Sequence, residues 1–458
     1  MKKAVFFLAV ILFSFSVSAQ EITGQWNGFL KVPGGQLALV FNISKNENGY
    51  STTMDSPDQG AKGIPVAITK FENATLKLEI PSARIVFEGV LNQYNMIVGT
   101  FSQSGQTFPL NLSKEKLEKE IVKRPQEPQK PYPYYTEEVT FENKIDKNVL
   151  AGTLSLPKKE GKFPVVILIS GSGAQNRDEE ILDHKPFLVL ADYLTKKGIG
   201  VLRFDDRGVA KSTGDFKKAT TFDFANDVRA AVNYLQTRQE IDKNKIGLIG
   251  HSEGGIVAPI VAENSKDIKF IVLLAGSGLR GDQLMLLQKE MIERQKGASE
   301  NEIQKSQEIF KGAYDIIVAS SSNDVNLKSK AFNYLKSKLG DTANDTQISA
   351  LSSQITSPWL IGFLKLDPAL FLEKVKCPVL ALNGEKDLQV PAEINLEAIK
   401  KALAKGGNKN VTTKKIPNLN HLFQECQTGA VDEYATIEQT FSPTALEEIS
   451  SWILLQVK

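Results

Sequence analysis

Lys245-Ile246-Gly247-Leu248-Ile249-Gly250-His251-Ser252-Glu253-Gly254-Gly255-Ile256-Val257-Ala258-Pro259-Ile260 is the stretch on which the reading of the whole chain turns. Its first third is a short apolar run, as a strand buried on both faces requires. From about Gly255 it has the composition of a buried helix. Between them Gly250 to Gly254 spell G-x-S-x-G. Alone the pattern is weak; the strand before it and the helix after it make it specific. On so sharp a turn, side chains two residues either side of the serine would clash, hence glycine at 250 and 254. The turn lifts the Ser252 hydroxyl above the sheet. It also sets the positive end of the following helix beneath any negative charge developing beside it.

Outward from this elbow, strands alternate with helices. Val149 to Leu156, Val165 to Ile169, Val201 to Phe204 and Phe270 to Leu274 read as strands. Lys185 to Lys197 and Thr221 to Leu235 read as helices, the second with Phe224, Val228, Val232 and Leu235 on one face. The pattern predicts an α/β fold, a mostly parallel sheet with helices on both faces, over residues 134–458. It breaks at 279–371, a helical and polar stretch that includes Glu302 to Tyr314 and Leu327 to Leu339. It resumes with a strand over Pro378 to Leu382, a helix over Glu393 to Lys405, a strand over Val411 to Ile416 and a last helix from Pro443. An insertion of this kind is expected to form a lid over the C-terminal edge of the sheet, where such sheets bind ligands.

Residues 20–113 differ in kind. Leu37, Leu39, Phe41 and Ile43 recur with period two, as do Leu76, Leu78 and Ile80. Turn signals at Pro33-Gly34-Gly35, Asn46 to Gly49 and Asp58-Gln59-Gly60 separate the runs. This predicts a small all-β domain, a barrel or a sandwich. Residues 114–133, a charged run followed by Pro125, Pro128, Pro131 and Pro133, read as a linker.

A serine nucleophile needs a base. The chain has three histidines. His251 lies inside the elbow and must point away from its neighbour; His184 precedes the serine. In this strand-elbow-helix arrangement the order is serine, acid, histidine, and only His421, after the last strand, fits. The acid is expected just after the strand ending near Asn383. Asp387 is favoured over Glu385, to hold the imidazole tautomer and stabilise the imidazolium. Two backbone N–H groups are expected to meet an oxyanion, one from Glu253 and one from Ser170-Gly171-Ser172-Gly173, with Ser172 favoured. Asp206 and Arg207 read as a turn stabilised by its own charge pairing. Trp359 and Phe363 have two readings, lining of an acyl pocket and core packing.

Together Ile169 to Asp178, Arg203 to Gly208, Gly250 to Gly255, Leu382 to Pro391 and Asn420 to Phe423 resemble exported bacterial α/β-hydrolases of the serine aminopeptidase-like and dienelactone hydrolase-like group, usually described as esterases. The resemblance covers residues 134–458. Trp26-Asn27-Gly28 and Ser56 to Gly60 resemble the β-domain that precedes the hydrolase in some of them. It implies a triad falling on Ser252, Asp387 and His421, with no metal and no organic cofactor. Ala210 departs from the group, which usually has a glycine there, and a small backbone adjustment is expected. Dienelactone hydrolases proper use cysteine where this chain has Ser252. The expected activity is ester hydrolysis on a small-molecule substrate. Cleavage of short peptides is the alternative, and a non-catalytic binding role the third reading.

Net charge is +2 over 458 residues, with 24% charged and 41% hydrophobic. That balance argues against nucleic acid or an anionic membrane as partner. Lys2 and Lys3, an apolar run from Ala4 to about Phe15, and Val17-Ser18-Ala19 read as a signal peptide cleaved to leave Gln20. The run is shorter than the ~20 residues that span a bilayer. The expected location is the periplasm or beyond. Two cysteines, Cys377 and Cys426, are too few for a disulfide framework.

Overall fold

The computed structural model describes residues 21–32, 35–47, 49–103, 106–116, 123–321 and 324–458. The leader predicted at 1–19 lies outside them. The chain divides into two compact units, Met1–Ile121 and Val122–Lys458.

The first unit is one antiparallel sheet. Its strands are β1 (Gly24–Val32), β2 (Gly35–Asn46), β3 (Gly49–Ser56), β4 (Ala61–Val66), β5 (Ile68–Glu72), β6 (Thr75–Ile80), β7 (Ile85–Leu91), β8 (Met96–Gln103) and β9 (Gln106–Ser113). The order β4-β3-β2-β1-β9-β8-β7-β6-β5 is a meander that bends round on itself. Its two end strands, β4 and β5, are consecutive in the chain with Ala67 alone between them. Buried and exposed residues alternate strictly along β7, as a strand with one dry face demands. Trp26, Phe41, Leu76, Leu78 and Phe87 form the core.

The second unit carries an eight-stranded sheet: β10 (Tyr135–Asn143), β11 (Asn148–Leu156), β12 (Phe163–Ile169), β13 (Gly200–Phe204), β14 (Ile241–His251), β15 (Phe270–Leu274), β16 (Val379–Gly384) and β17 (Val411–Ile416). The order is β10-β11-β13-β12-β14-β15-β16-β17. β10 and β11 run antiparallel and the rest are parallel. Its helices are α1 (Pro186–Lys196), α2 (Thr221–Thr237), α3 (Gly254–Ala262), then α4 (Gly281–Gln295), α5 (Glu300–Val318), α6 (Leu327–Leu339), α7 (Asp345–Ile355), α8 (Pro358–Lys365) and α9 (Ala369–Leu372) in the insertion, and α10 (Ala392–Lys405) and α11 (Pro443–Gln456). β12 shows why two layers of helix are needed. Val165, Ile167 and Ile169 join one core with α2, α3 and α10, while Val166 and Leu168 join another with α1 and α11. The fold is that of an α/β-hydrolase, with an all-β unit before it.

Three details differ from the sequence-based expectations. β10 is a strand that the sequence analysis passes over. The Pro-rich stretch is anchored: Arg124 donates hydrogen bonds to the carbonyls of Leu182, Asp183, Ala435 and Ile437. Gln126 exchanges bonds with Thr440 and Phe441. Third, Asp206 and Arg207 do not pair with each other. Arg207 turns to Asp146 and Asp227, whereas Asp206 accepts from the Ser170 hydroxyl and the Gln175 N–H. Arg207 lies in the turn that the Val209 N–H closes on the Asp206 carbonyl, and the two side chains find separate partners. At Ala210 the backbone stays left-handed, with φ +46°, so the alanine takes up the conformation a glycine would supply.

Candidate active site

The elbow between β14 and α3 holds Ser252 at φ +52°, a conformation a side chain adopts only when its surroundings enforce it. The Ser252 N–H donates to the Leu274 carbonyl at 2.8 Å. A side-chain carbon at Gly250 would lie 1.9 Å from the Gly254 carbonyl oxygen, and one at Gly254 would lie 2.2 Å from that of Ile169. Both glycines are therefore required by the close approach of backbone to backbone.

Asp387 follows β16 and is buried. Its Oδ1 accepts from the N–H groups of Gln389 and Val390, each at 2.8 Å. Its Oδ2 lies 2.8 Å from Nδ1 of His421. The His421 loop follows β17 and is fixed by Asn420, whose Oδ1 accepts from the N–H groups of Leu422 and Gln424. Glu385 instead accepts from the Asn418 N–H at an exposed position. His184 is buried away from this cluster, against the Thr440 hydroxyl and the Tyr434 carbonyl. Burial pushes its pKa down to about 4.

Ser172 and Ser252 line one cavity of about 100 Å³, together with Glu253, Trp359, Phe363 and Gln389. Trp359 and Phe363 stack at 5.2 Å between ring centroids, so these residues both pack on each other and face the cavity. The backbone N–H groups of Ser172 and Glu253 have no hydrogen-bond partner among the described residues.

The profile of the serine aminopeptidase S33 family matches residues 185–425, more than half of the chain. The chain belongs to the serine aminopeptidase S33 family. It is a serine hydrolase. Esterase EstD of Thermotoga maritima is 25% identical over 70% of each chain. An uncharacterised 31.7 kDa protein of Escherichia coli is 27% identical over 56% of this chain and 84% of its own. Among solved structures, Est1E of Butyrivibrio proteoclasticus with ferulic acid bound is 18% identical and superposes with a TM-score of 0.42, covering 70% of this chain and 99% of its own. A Pyrococcus furiosus esterase superposes at 0.41, with 18% identity, over 70% of this chain and 93% of its own.

This S33-family site contains buried carboxyl groups, at Glu253, Asp206 and Glu179, whose surroundings no sequence pattern signals. The Glu253 carboxylate accepts from the Thr221 hydroxyl at 2.7 Å and from the Trp359 indole N–H at 3.0 Å, which ties α3, α2 and α8 together at the cavity wall. Burial raises its pKa. Burial also pushes Asp206 up to about 8, against the pull of the Gln175 N–H and the Ser170 hydroxyl. Glu179 is buried between Gly171 and His251. No local spacing marks these residues, because their partners, Gly171 beside Glu179 excepted, are tens of residues away. Among the described residues, no group of three or more His, Cys, Asp or Glu is arranged to hold a metal ion. Cys377 and Cys426 are free thiols.

Proposed function

We propose that this S33-family protein is a carboxylic ester hydrolase working through an acyl-enzyme, with Ser252 as nucleophile, His421 as base and Asp387 as its orienting acid. The observation that carries the reading is the 2.8 Å contact between Asp387 Oδ2 and His421 Nδ1, on the loops that follow β16 and β17. With Nδ1–H donated to Asp387, Nε2 is the nitrogen left to take a proton. Ser252 Oγ bonds to the ester carbonyl carbon as its proton passes to His421. The oxyanion so formed would be met by the N–H groups of Ser172 and Glu253. The proton then goes to the departing alcohol, and water, deprotonated by the same imidazole, cleaves the acyl–Oγ bond and restores the serine. Similarity to an esterase supports ester over amide substrates. The family description keeps short peptides as the second reading.

The test is hydrolysis of p-nitrophenyl acetate, butyrate and octanoate beside aminoacyl p-nitroanilides. Ester turnover is expected, with kcat falling roughly 10⁴-fold or more in Ser252→Ala. Turnover surviving in that variant overturns the triad. Preference for the anilides would move the protein to the peptidase reading. The N-terminal pattern further supports export with cleavage after Ala19. N-terminal sequencing of the secreted or periplasmic protein is expected to begin at Gln20, and an intact Met1 on that material would refute cleavage there.

A further inference from the structure

His251 sits one residue before the nucleophile with both ring nitrogens committed. Nδ1 lies 2.9 Å from Glu179 Oε1, and Nε2 lies 2.9 Å from the backbone carbonyl oxygen of His421. The same Glu179 oxygen accepts the Gly171 N–H at 2.6 Å. A carbonyl oxygen only accepts, and a carboxylate oxygen taking one N–H already is an acceptor too. Beside an ionised Glu179, a neutral imidazole has a single N–H and satisfies one of these partners. Two N–H groups, an imidazolium, satisfy both. Burial opposes the charge on His251, but the Glu179 charge and its hydrogen bond outweigh it and raise the pKa above the ordinary range.

Its surroundings fit a single compensated charge. Glu179 faces it from the loop between β12 and α1. His421 lies beside it, 4.9 Å between ring centroids, with Asp387 beyond. The nearby walls are apolar: Leu274 at the end of β15, Phe187 on α1, and Phe423 and Phe441. Glu179 itself is held at φ +51°, a strained placement that aims the carboxylate inward.

We propose that His251 and Glu179 are positioning residues: as a buried ion pair they clamp the backbone of His421 to Gly171, the neighbour of Ser172, and so hold base and oxyanion loop in register. The inference rests on the triad reading given above. Neither residue lines the cavity that holds Ser252. Their effect falls on kcat, because a base displaced by a fraction of an ångström transfers its proton less well while substrate still binds.

Three histidines make the pair directly observable in the full chain with ¹⁵N-labelled histidine. At pH 7.5 one ring is expected to carry two protonated nitrogens, and its signals to vanish in His251→Gln. In Glu179→Gln that ring is expected to become a neutral tautomer. On p-nitrophenyl butyrate, Glu179→Gln and His251→Ala are expected to lower kcat roughly ten- to hundredfold with KM nearly unchanged. His251→Gln, which keeps one N–H donor toward His421, should recover part of the loss. A neutral His251 ring in the unsubstituted protein overturns the proposal. So does a folded His251→Ala protein with undiminished kcat, or one that loses only thermal stability. Activity that survives Ser252→Ala would instead overturn the triad, and the histidine spectra would still report on the clamp.

Discussion

Asp206 is buried, and that burial pushes its carboxyl up to about 8. In the unfolded chain the same group ionises near 3.8. Between those values the folded protein keeps a proton that the unfolded chain has released, so the contribution of this group to stability is full below pH 4 and is lost as the pH rises toward 8. Asp206→Asn cannot ionise. The melting temperature of the variant is therefore expected to fall less between pH 5 and pH 8 than that of the parent protein. Parallel curves would mean that Asp206 titrates like a solvated carboxylate. The same residue marks the limit of what can be read from sequence. Ser252 stands out because it directly follows a strand, and Asp387 and His421 because they lie on the loops that follow strands, positions legible from local pattern. Asp206, Glu253 and Glu179 owe their character to burial and to partners such as Ser170, Trp359 and Gly171, which only the folded chain brings near them.

At the scale of elements, α4 and α8 together wall the cavity, α4 through Leu284, Met285 and Gln288 and α8 through Trp359 and Phe363. Helix α8 begins at Pro358 with the Ser357 hydroxyl accepting from the Leu360 N–H, an N-cap that fixes where the first turn starts. That start places Trp359 toward Glu253 and Phe363 one turn further on, on the same face. A cavity of about 100 Å³ suits a short acyl chain. Trp359→Ala is expected to shift the ester preference from acetate and butyrate toward octanoate. An unchanged chain-length profile would mean that the indole does not bound the acyl site. Two insertion helices are legible in the sequence: Leu327 to Leu339 is α6, and Glu302 to Tyr314 lies within α5. The capping boxes of Ser299 with Glu302 at the start of α5 and of Asn344 with Gln347 at the start of α7 are local signals that the reading leaves unused. β10 was harder to see. Only Val139 and Phe141 supply an apolar rhythm, among Glu137, Glu138 and Glu142, because an edge strand with one wet face needs little more.

Over the whole molecule, the switch from period two to alternating strand and helix marks two units, and each has a hydrophobic core of its own. The Arg124 and Gln126 anchors belong to the second. A fragment beginning at Lys123 retains them and is expected to fold and to hydrolyse p-nitrophenyl butyrate. A fragment beginning at Tyr134, which lacks both residues, is expected to melt at a lower temperature. Equal melting temperatures would show that the anchors contribute nothing to stability.

The closed order of the first sheet bears on self-association. Ordinary sheets end in two bare edges at which a second molecule can lay down a strand. Here the end strands β4 and β5 are joined through Ala67, whose N–H is already spent on the Glu79 carbonyl. Growth by strand addition has only that one seam to enter. The outward-facing Val86, Val90 and Val98 lie elsewhere, on the flank of the ring. If two copies meet through this unit at high concentration, contact is favoured flank to flank, through side chains that a few charged substitutions can repel, rather than through backbone hydrogen bonds, which a change of side-chain charge leaves in place.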